Sequence, residues 1–237
     1  MHLTALQLPA RFGAPKEQLR LAETLLEGGP RTDLVLFNEA ALTGYVRATR
    51  AGADFDLSSF GEALEGPTSE ALLHLAKRFD CLVAGPLIER GDAGLFNCLT
   101  AVTPDGTRLF HYRKRHPWFP ETWATPGEVS GAVVEWRGVK VMPAICFDVH
   151  FLAEDAGPSL RAADVLLFSS AWVDDEGDSR PGHLEPLARE FEVAVLNANW
   201  GVGSPKLPGQ GGSMFIERSG KVQRRLEGGA ARLDVEL

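Results

Sequence analysis

A cysteine, a glutamate and a lysine, far apart in this chain of 237 residues, stand where chemistry can be done. Cys146 lies in Ala144-Ile145-Cys146-Phe147-Asp148, where an apolar strand pattern gives way to a helical pattern running to Ala163. A thiol at the start of a helix feels the positive end of the peptide dipoles and is drawn towards the nucleophilic thiolate. A free cysteine is also among the most buried side chains, so a plain structural thiol is the other reading. Cys81 and Cys98, inside apolar strands, fit that plainer role. Glu39 follows the run Leu34-Val35-Leu36-Phe37. A carboxylate at the end of a buried strand sits where open α/β sheets place their sites, and desolvation there raises its basicity towards that of a general base. A solvated loop glutamate would look the same. Lys114, in Tyr112-Arg113-Lys114-Arg115-His116, reads first as part of a surface basic cluster. The aromatic, proline-rich stretch Pro117-Trp118-Phe119-Pro120-Glu121-Thr122-Trp123 that follows suits a pocket wall better than a solvated tip.

These residues need elements to hold them. Leu3, Ala5 and Gln7 alternate as in a strand, and residues 16–27 carry Leu19, Ala22, Leu25 and Leu26 on one helical face before Gly28-Gly29-Pro30. The apolar run 34–37 is a strand covered on both faces. A helix after Pro67-Thr68 turns Ala71, Leu72, Leu75 and Phe79 inward. Strands follow at 81–88, 96–103 and 107–112, the last two joined by Pro104-Asp105-Gly106. Residues 113–130, with Pro117, Pro120 and Pro126, form a long loop of the kind that carries function. Strands at 132–136 and 139–142 flank a hairpin at Arg137-Gly138. Beyond Cys146 come a strand at Val165–Phe168, a helix over 182–193 with Leu184, Leu187, Ala188 and Phe191 inward, a strand from Val193 to Asn199 and a hairpin over 212–225 turning at Ser219-Gly220. The mixture of βα units and hairpins predicts helices layered on mixed sheets, in a single domain over 1–237.

The net charge of −8 argues against a nucleic-acid partner, which basic patches would bind. Three cysteines without framework spacing fit a reducing compartment. The first residues read as a strand and not as a signal peptide, and no apolar run approaches the ~18–20 residues of a membrane span. The expected location is the cytoplasm.

Collinear segments add a resemblance. Leu36-Phe37-Asn38-Glu39 with Leu42-Thr43-Gly44-Tyr45, then Phe96-Asn97 before a strand, Tyr112-Arg113-Lys114, Thr125-Pro126-Gly127-Glu128, Ile145-Cys146-Phe147-Asp148 and Ser169-Ser170-Ala171-Trp172 follow one another in order. Arg189-Glu190 through Asn197-Ala198-Asn199 and the hairpin at Gly211-Gly212-Ser213 complete the series. Over nearly the whole chain this resembles the nitrilase superfamily, the carbon–nitrogen hydrolases, in an amidase-like form.

The resemblance implies a nitrilase-like α-β-β-α sandwich, two mixed sheets face to face with helices outside, pairing as a homodimer. It implies a Glu-Lys-Cys triad acting on a small-molecule amide without cofactor or metal. Cys146 would attack as thiolate, Glu39 would take its proton and later activate water, and Lys114 with the backbone N–H of Phe147 would hold the oxyanion; the thioester on Cys146 is then hydrolysed. A second glutamate in the lysine loop matches Glu121, with Glu128 the weaker match. Tyr45, Trp118 and Trp172 are candidate pocket residues and equally candidate core. The alternatives are a nitrilase or an N-carbamoyl amidohydrolase within the same chemistry, or a non-catalytic ligand-binding relative.

The departures are specific. Asn38 stands where the family usually has proline, Pro143-Ala144 where it has glycine, and Val149-His150-Phe151-Leu152-Ala153-Glu154 replaces an arginine and a Phe-Pro-Glu stretch, which bears on specificity more than on catalysis. A C-terminal extension that packs dimers in relatives is expected to be absent. Cys146 and His150 could form a dyad, but the resemblance gives the base role to Glu39. Histidines and cysteines show no paired metal-ligand spacing. Gly209-Gln210-Gly211-Gly212-Ser213 lacks the lysine and helix of a phosphate loop and reads as a hairpin. Asp174-Asp175-Glu176 reads as a solvated loop.

Overall fold

Among the described residues, proline stands in the first two positions of three of the four α-helices, and residues in the left-handed conformation close two of them. The computed structural model describes residues 1–128, 131–175 and 177–237. In chain order the elements are β1 (His2–Gln7), β2 (Pro9–Arg11), α1 (Pro15–Glu27), β3 (Leu34–Phe37), β4 (Arg47–Thr49), β5 (Gly52–Asp54), α2 (Pro67–Phe79), β6 (Leu82–Gly91), β7 (Gly94–Val102) and β8 (Arg108–Arg113). The second half holds β9 (Val134–Trp136), β10 (Val139–Ile145), α3 (Leu152–Ala162), β11 (Val165–Ser170), α4 (Arg180–Phe191), β12 (Ala194–Asn199), β13 (Gly201–Ser204), β14 (Met214–Ile216), β15 (Val222–Arg225) and β16 (Ala231–Glu236).

Two six-stranded sheets form the frame, in the orders β16-β1-β3-β6-β7-β8 and β15-β14-β12-β11-β10-β9. Each has a parallel centre (β1-β3-β6 in one, β10-β11-β12 in the other) flanked by antiparallel neighbours. Side-chain alternation assigns the faces. Leu3, Ala5, Leu34, Leu36, Leu82 and Ala84 join the second sheet in the main core, while Leu6, Leu8, Val35, Phe37 and Val83 face α1 and α2. The other two helices, α3 and α4, pack on the second sheet through Leu160, Leu184 and Phe191. The Ser169 hydroxyl ties the sheets together by donating to the carbonyl of Phe37 (2.9 Å). This is the α-β-β-α sandwich of two mixed sheets that the sequence reading expects.

Several elements differ from that reading. The segment after Cys146 is a 3-10 turn, Cys146–His150, and the helix begins only at Leu152. Phe96 and Asn97 lie inside β7 and not before a strand. The hairpin β14–β15 is not the final element, because β16 returns to the first sheet and pairs antiparallel with β1. The pairs β2–β13 and β4–β5 are too short to carry a period-2 signal. Among the described residues no helix is long and apolar enough to cross a membrane.

Candidate active site

The carboxyl ends of the central parallel strands meet at one end of the sandwich, the place where such sheets put their sites. Glu39 lies just past β3, Cys146 directly after β10 and Ala171 directly after β11; Lys114 follows β8, and Asn97 points in from β7. The backbone is bent to present them: Ala40 (φ 48°) and Cys146 (φ 45°) both occupy the left-handed region, which non-glycine residues enter only when their surroundings enforce it. Asp148 supplies part of that enforcement. Its carboxylate accepts hydrogen bonds from the Tyr112 hydroxyl (2.7 Å), the Ile145 N–H (3.1 Å) and the His116 N–H (2.9 Å), pinning the turn that carries the cysteine to the loop that carries the lysine.

The Lys114 ammonium is wholly buried between two wholly buried carboxylates, at 2.7 Å from Glu39 Oε1 and 2.8 Å from Glu121 Oε2. Asn97 Nδ2 bridges the same pair, donating to Glu39 Oε1 (2.8 Å) and Glu121 Oε1 (2.9 Å). Backbone amides fill the remaining sides, Ala171 N–H to Glu39 Oε2 (2.9 Å) and Trp118 N–H to Glu121 Oε2 (2.7 Å). Burial opposes the ammonium, but Glu121 and Glu39 outweigh it and raise the pKa of Lys114. Burial raises the pKa of Glu39, Lys114 pulls it down and Glu121 pushes it up again, for a net rise. The Cys146 thiol goes well above its ordinary value, through burial first and then through Glu39, against the pull of Lys114.

That last result runs against the helix-terminus argument, which draws the thiol towards thiolate. A 3-10 turn supplies little dipole, and two carboxylates against one ammonium already leave an excess of negative charge. A thiolate would add to it, so the proton stays on sulfur.

The thiol opens into a cavity of about 20 Å3 lined by Trp118, Phe147, His150, Ala171, Trp172, Val173 and Asp178, room for roughly one water molecule. Trp118 and Trp172 are thus in the wall, as the sequence suggests. Tyr45 is not: it packs behind, edge-on to Trp200 and Phe55 and stacked on Trp118, with its hydroxyl buried and unpartnered. Glu121 joins the cluster, whereas Glu128 is exposed and lines a separate groove with His111 and Val134. His150 shares the cavity with Cys146 but lies against Asp178 (3.8 Å) and His183, and burial followed by His183 lowers its pKa. Asp174 and Asp175 are exposed; Glu176 lies outside the described residues.

Sequence reasoning gave Asn97 and the Ala171 N–H no role, although both fell in quoted segments. An asparagine in the middle of an apolar strand was the available signal. Two groups of potential metal ligands also assemble from distant positions, Glu89-Cys98-His111 and His150-Asp178-His183, each with donor atoms within 4.8 Å of one another. The first is already occupied by the Arg113 guanidinium, which makes two bonds of 2.6 and 2.7 Å to Glu89.

Comparison with known proteins identifies the family. Residues 2–230 match the carbon–nitrogen hydrolase family. An (R)-stereoselective amidase from a Pseudomonas species is 30% identical over 94% of this chain and 79% of its own. An omega-amidase of Yersinia enterocolitica is 28% identical over all of this chain and 90% of its own. Among solved structures, a CN-hydrolase superfamily protein of Xanthomonas campestris superposes with a TM-score of 0.84 over 99% of this chain and 89% of its own, at 23% identity, a likeness of fold. The chain therefore belongs to the carbon–nitrogen hydrolase family, as an amidase-like hydrolase.

Proposed function

We propose that Cys146, Glu39 and Lys114 form a catalytic triad, with Glu121 as a fourth member, that hydrolyses a small carboxamide through a thioester on Cys146. The observation that carries this reading is the buried ammonium held between two carboxylates beside a cavity-facing thiol. As the amide carbon approaches, the S–H proton passes to Glu39 and the sulfur–carbon bond forms. The carbonyl electron pair moves onto oxygen. Lys114 spends two of its three N–H bonds on Glu39 and Glu121 and keeps one for that oxyanion, with the Phe147 N–H as second donor. Collapse breaks the C–N bond, and the leaving nitrogen takes the proton from Glu39 and departs as ammonia or an amine. Glu39 then deprotonates the water that attacks the thioester carbon, the C–S bond breaks to release the acid, and the proton passes from Glu39 to the departing sulfur.

Glu121 positions Lys114 and Asn97 for these steps. The small cavity suits a small acyl group, and the amidase and omega-amidase names of the relatives favour amides over nitriles and N-carbamoyl compounds. The same reading has the enzyme working as a homodimer in the cytoplasm, where its thiols stay reduced.

The test is a panel of small amides, nitriles and N-carbamoyl amino acids, followed by ammonia release and by mass spectrometry of the intact protein. An amide is expected to turn over, and its acyl group to add to Cys146. Turnover of none of the panel, with no adduct on that cysteine, would leave a ligand-binding protein instead.

A further inference from the structure

Arg180, the first residue of α4, is only 3% exposed. Its Nη2 donates to the carbonyls of Gly211 (2.9 Å) and Gly212 (2.8 Å), but Nε and Nη1 have no partner. No carboxylate lies within ion-pair distance of it among the described residues. A buried guanidinium with two empty donor positions and no counter-ion is costly, and proteins seldom keep one without something to fill it. Beside it stands a second cation. A Cβ placed on Gly212 (φ +68°) would lie 3.0 Å from Arg180 Nη2 and 3.1 Å from both Nε and Nη2 of Arg225, so two like charges converge across a residue that has no side chain. Arg225 makes no side-chain hydrogen bond or ion pair among the described residues. Burial and then Arg225 lower the Arg180 pKa to about 10, against the pull of Asp174.

Both arginines line a cavity of about 450 Å3, together with Ser179, Gly211, Gly212 and Asp174. That volume falls within the range of small-molecule sites, at ~300–1,000 Å3. Ser179 is the N-cap of α4, a helix of 12 residues whose N-terminal dipole adds to the positive field.

We infer that this cavity binds a small anion through a carboxylate or phosphate group, held by the free edge of the Arg180 guanidinium and by Arg225. The glycine run beside it is not a phosphate loop, since Gly211 N–H is committed to the Trp200 carbonyl (2.6 Å) and Gly212 N–H to that of Glu227 (3.5 Å). The guanidinium groups do the binding, in the forked geometry that matches two oxygens of one anion. Asp174 and Glu227 also line the cavity, and their negative charge disfavours a polyanion there. None of its lining residues lines the Cys146 cavity, although the two lie close enough for Cys146 to act electrostatically on Arg180.

Isothermal titration of the full chain with inorganic phosphate, and separately with glutarate, tests this against sodium chloride at matched ionic strength. One or both anions are expected to bind saturably at one site per chain, and the preference between them tells phosphorylated from carboxylate ligands. Arg225→Ala, at an exposed position, and Arg180→Lys, which keeps the charge but loses the fork, should each weaken binding about tenfold or more. Cys146→Ala should bind like the parent. The inference is overturned if neither anion binds beyond chloride, if the two arginine variants bind undiminished while circular dichroism shows them folded, or if Cys146→Ala removes the binding.

Discussion

Two clusters in this molecule contain the same ingredients: a cysteine, a buried carboxylate and a cation. Around Cys98, Glu89 accepts both arms of Arg113 and the His111 ring (2.9 Å), and the thiol lies 3.6 Å from the same carboxylate. Around Cys146, Lys114 serves two carboxylates at once. The stoichiometry separates them. With the Arg113 guanidinium to itself to offset its burial, Glu89 is held down at about 2, while Glu39, which shares one ammonium with Glu121, is pushed up. The first is an ion pair that stabilises a sheet. The second leaves a carboxylate more basic than an ordinary glutamate. The cysteines differ in the same sense. Cys98 sits buried in mid-strand, whereas Cys146 rides a left-handed turn and lines a cavity.

The sharpest way to break the comparison is to exchange each thiol. Cys146→Ala is expected to abolish ammonia release with an unchanged far-ultraviolet circular dichroism spectrum, and Cys98→Ala to leave turnover within about a factor of three. Equal losses would mean that neither cluster is special.

Next come the cations. Lys114→Ala should lower kcat by ~10^2–10^3, as loss of an oxyanion donor does, and should cost about 3–5 kcal/mol in urea unfolding because two buried carboxylates are left facing each other. Arg113 is partly exposed, so Arg113→Ala should cost less stability and leave kcat essentially intact.

The carboxylates then sharpen it through pH. The raised pKa of Glu39 places the acid limb of kcat/KM above the ordinary glutamate value of 4.5. It also means that protonation favours the folded state, so Glu39→Gln should stop turnover without lowering Tm at neutral pH. Glu89 has the opposite sign. Its depressed pKa contributes stability that is complete above 4.5 and lost as pH falls towards about 2. Glu89→Gln should therefore lower Tm at pH 7 and flatten its fall in acid.

The smallest effect separates two neighbouring glutamates of the lysine loop. Glu128→Gln is expected to change nothing in kcat, while Glu121→Gln lowers it; an equal loss in both would return the choice to the ambiguity of the sequence.

The amino-acid sequence by itself determined the sandwich and its four helices, because periodic apolar runs and proline or glycine boundaries are local signals. It also singled out Cys146, Glu39 and Lys114 as candidates, through collinear segments that each carry their own spacing. It did not determine β16, whose partner β1 lies some 230 positions away, or the bridging role of Asn97, which depends on residues 58 and 24 positions distant. Nor did it determine the protonation of Cys146. A helix-terminus argument reads only the neighbours in the chain and favours a thiolate; burial and the Glu39 carboxylate, brought in from another strand, reverse that sign. Charge balance is a property of everything within a few ångströms, and only the folded chain decides what is there.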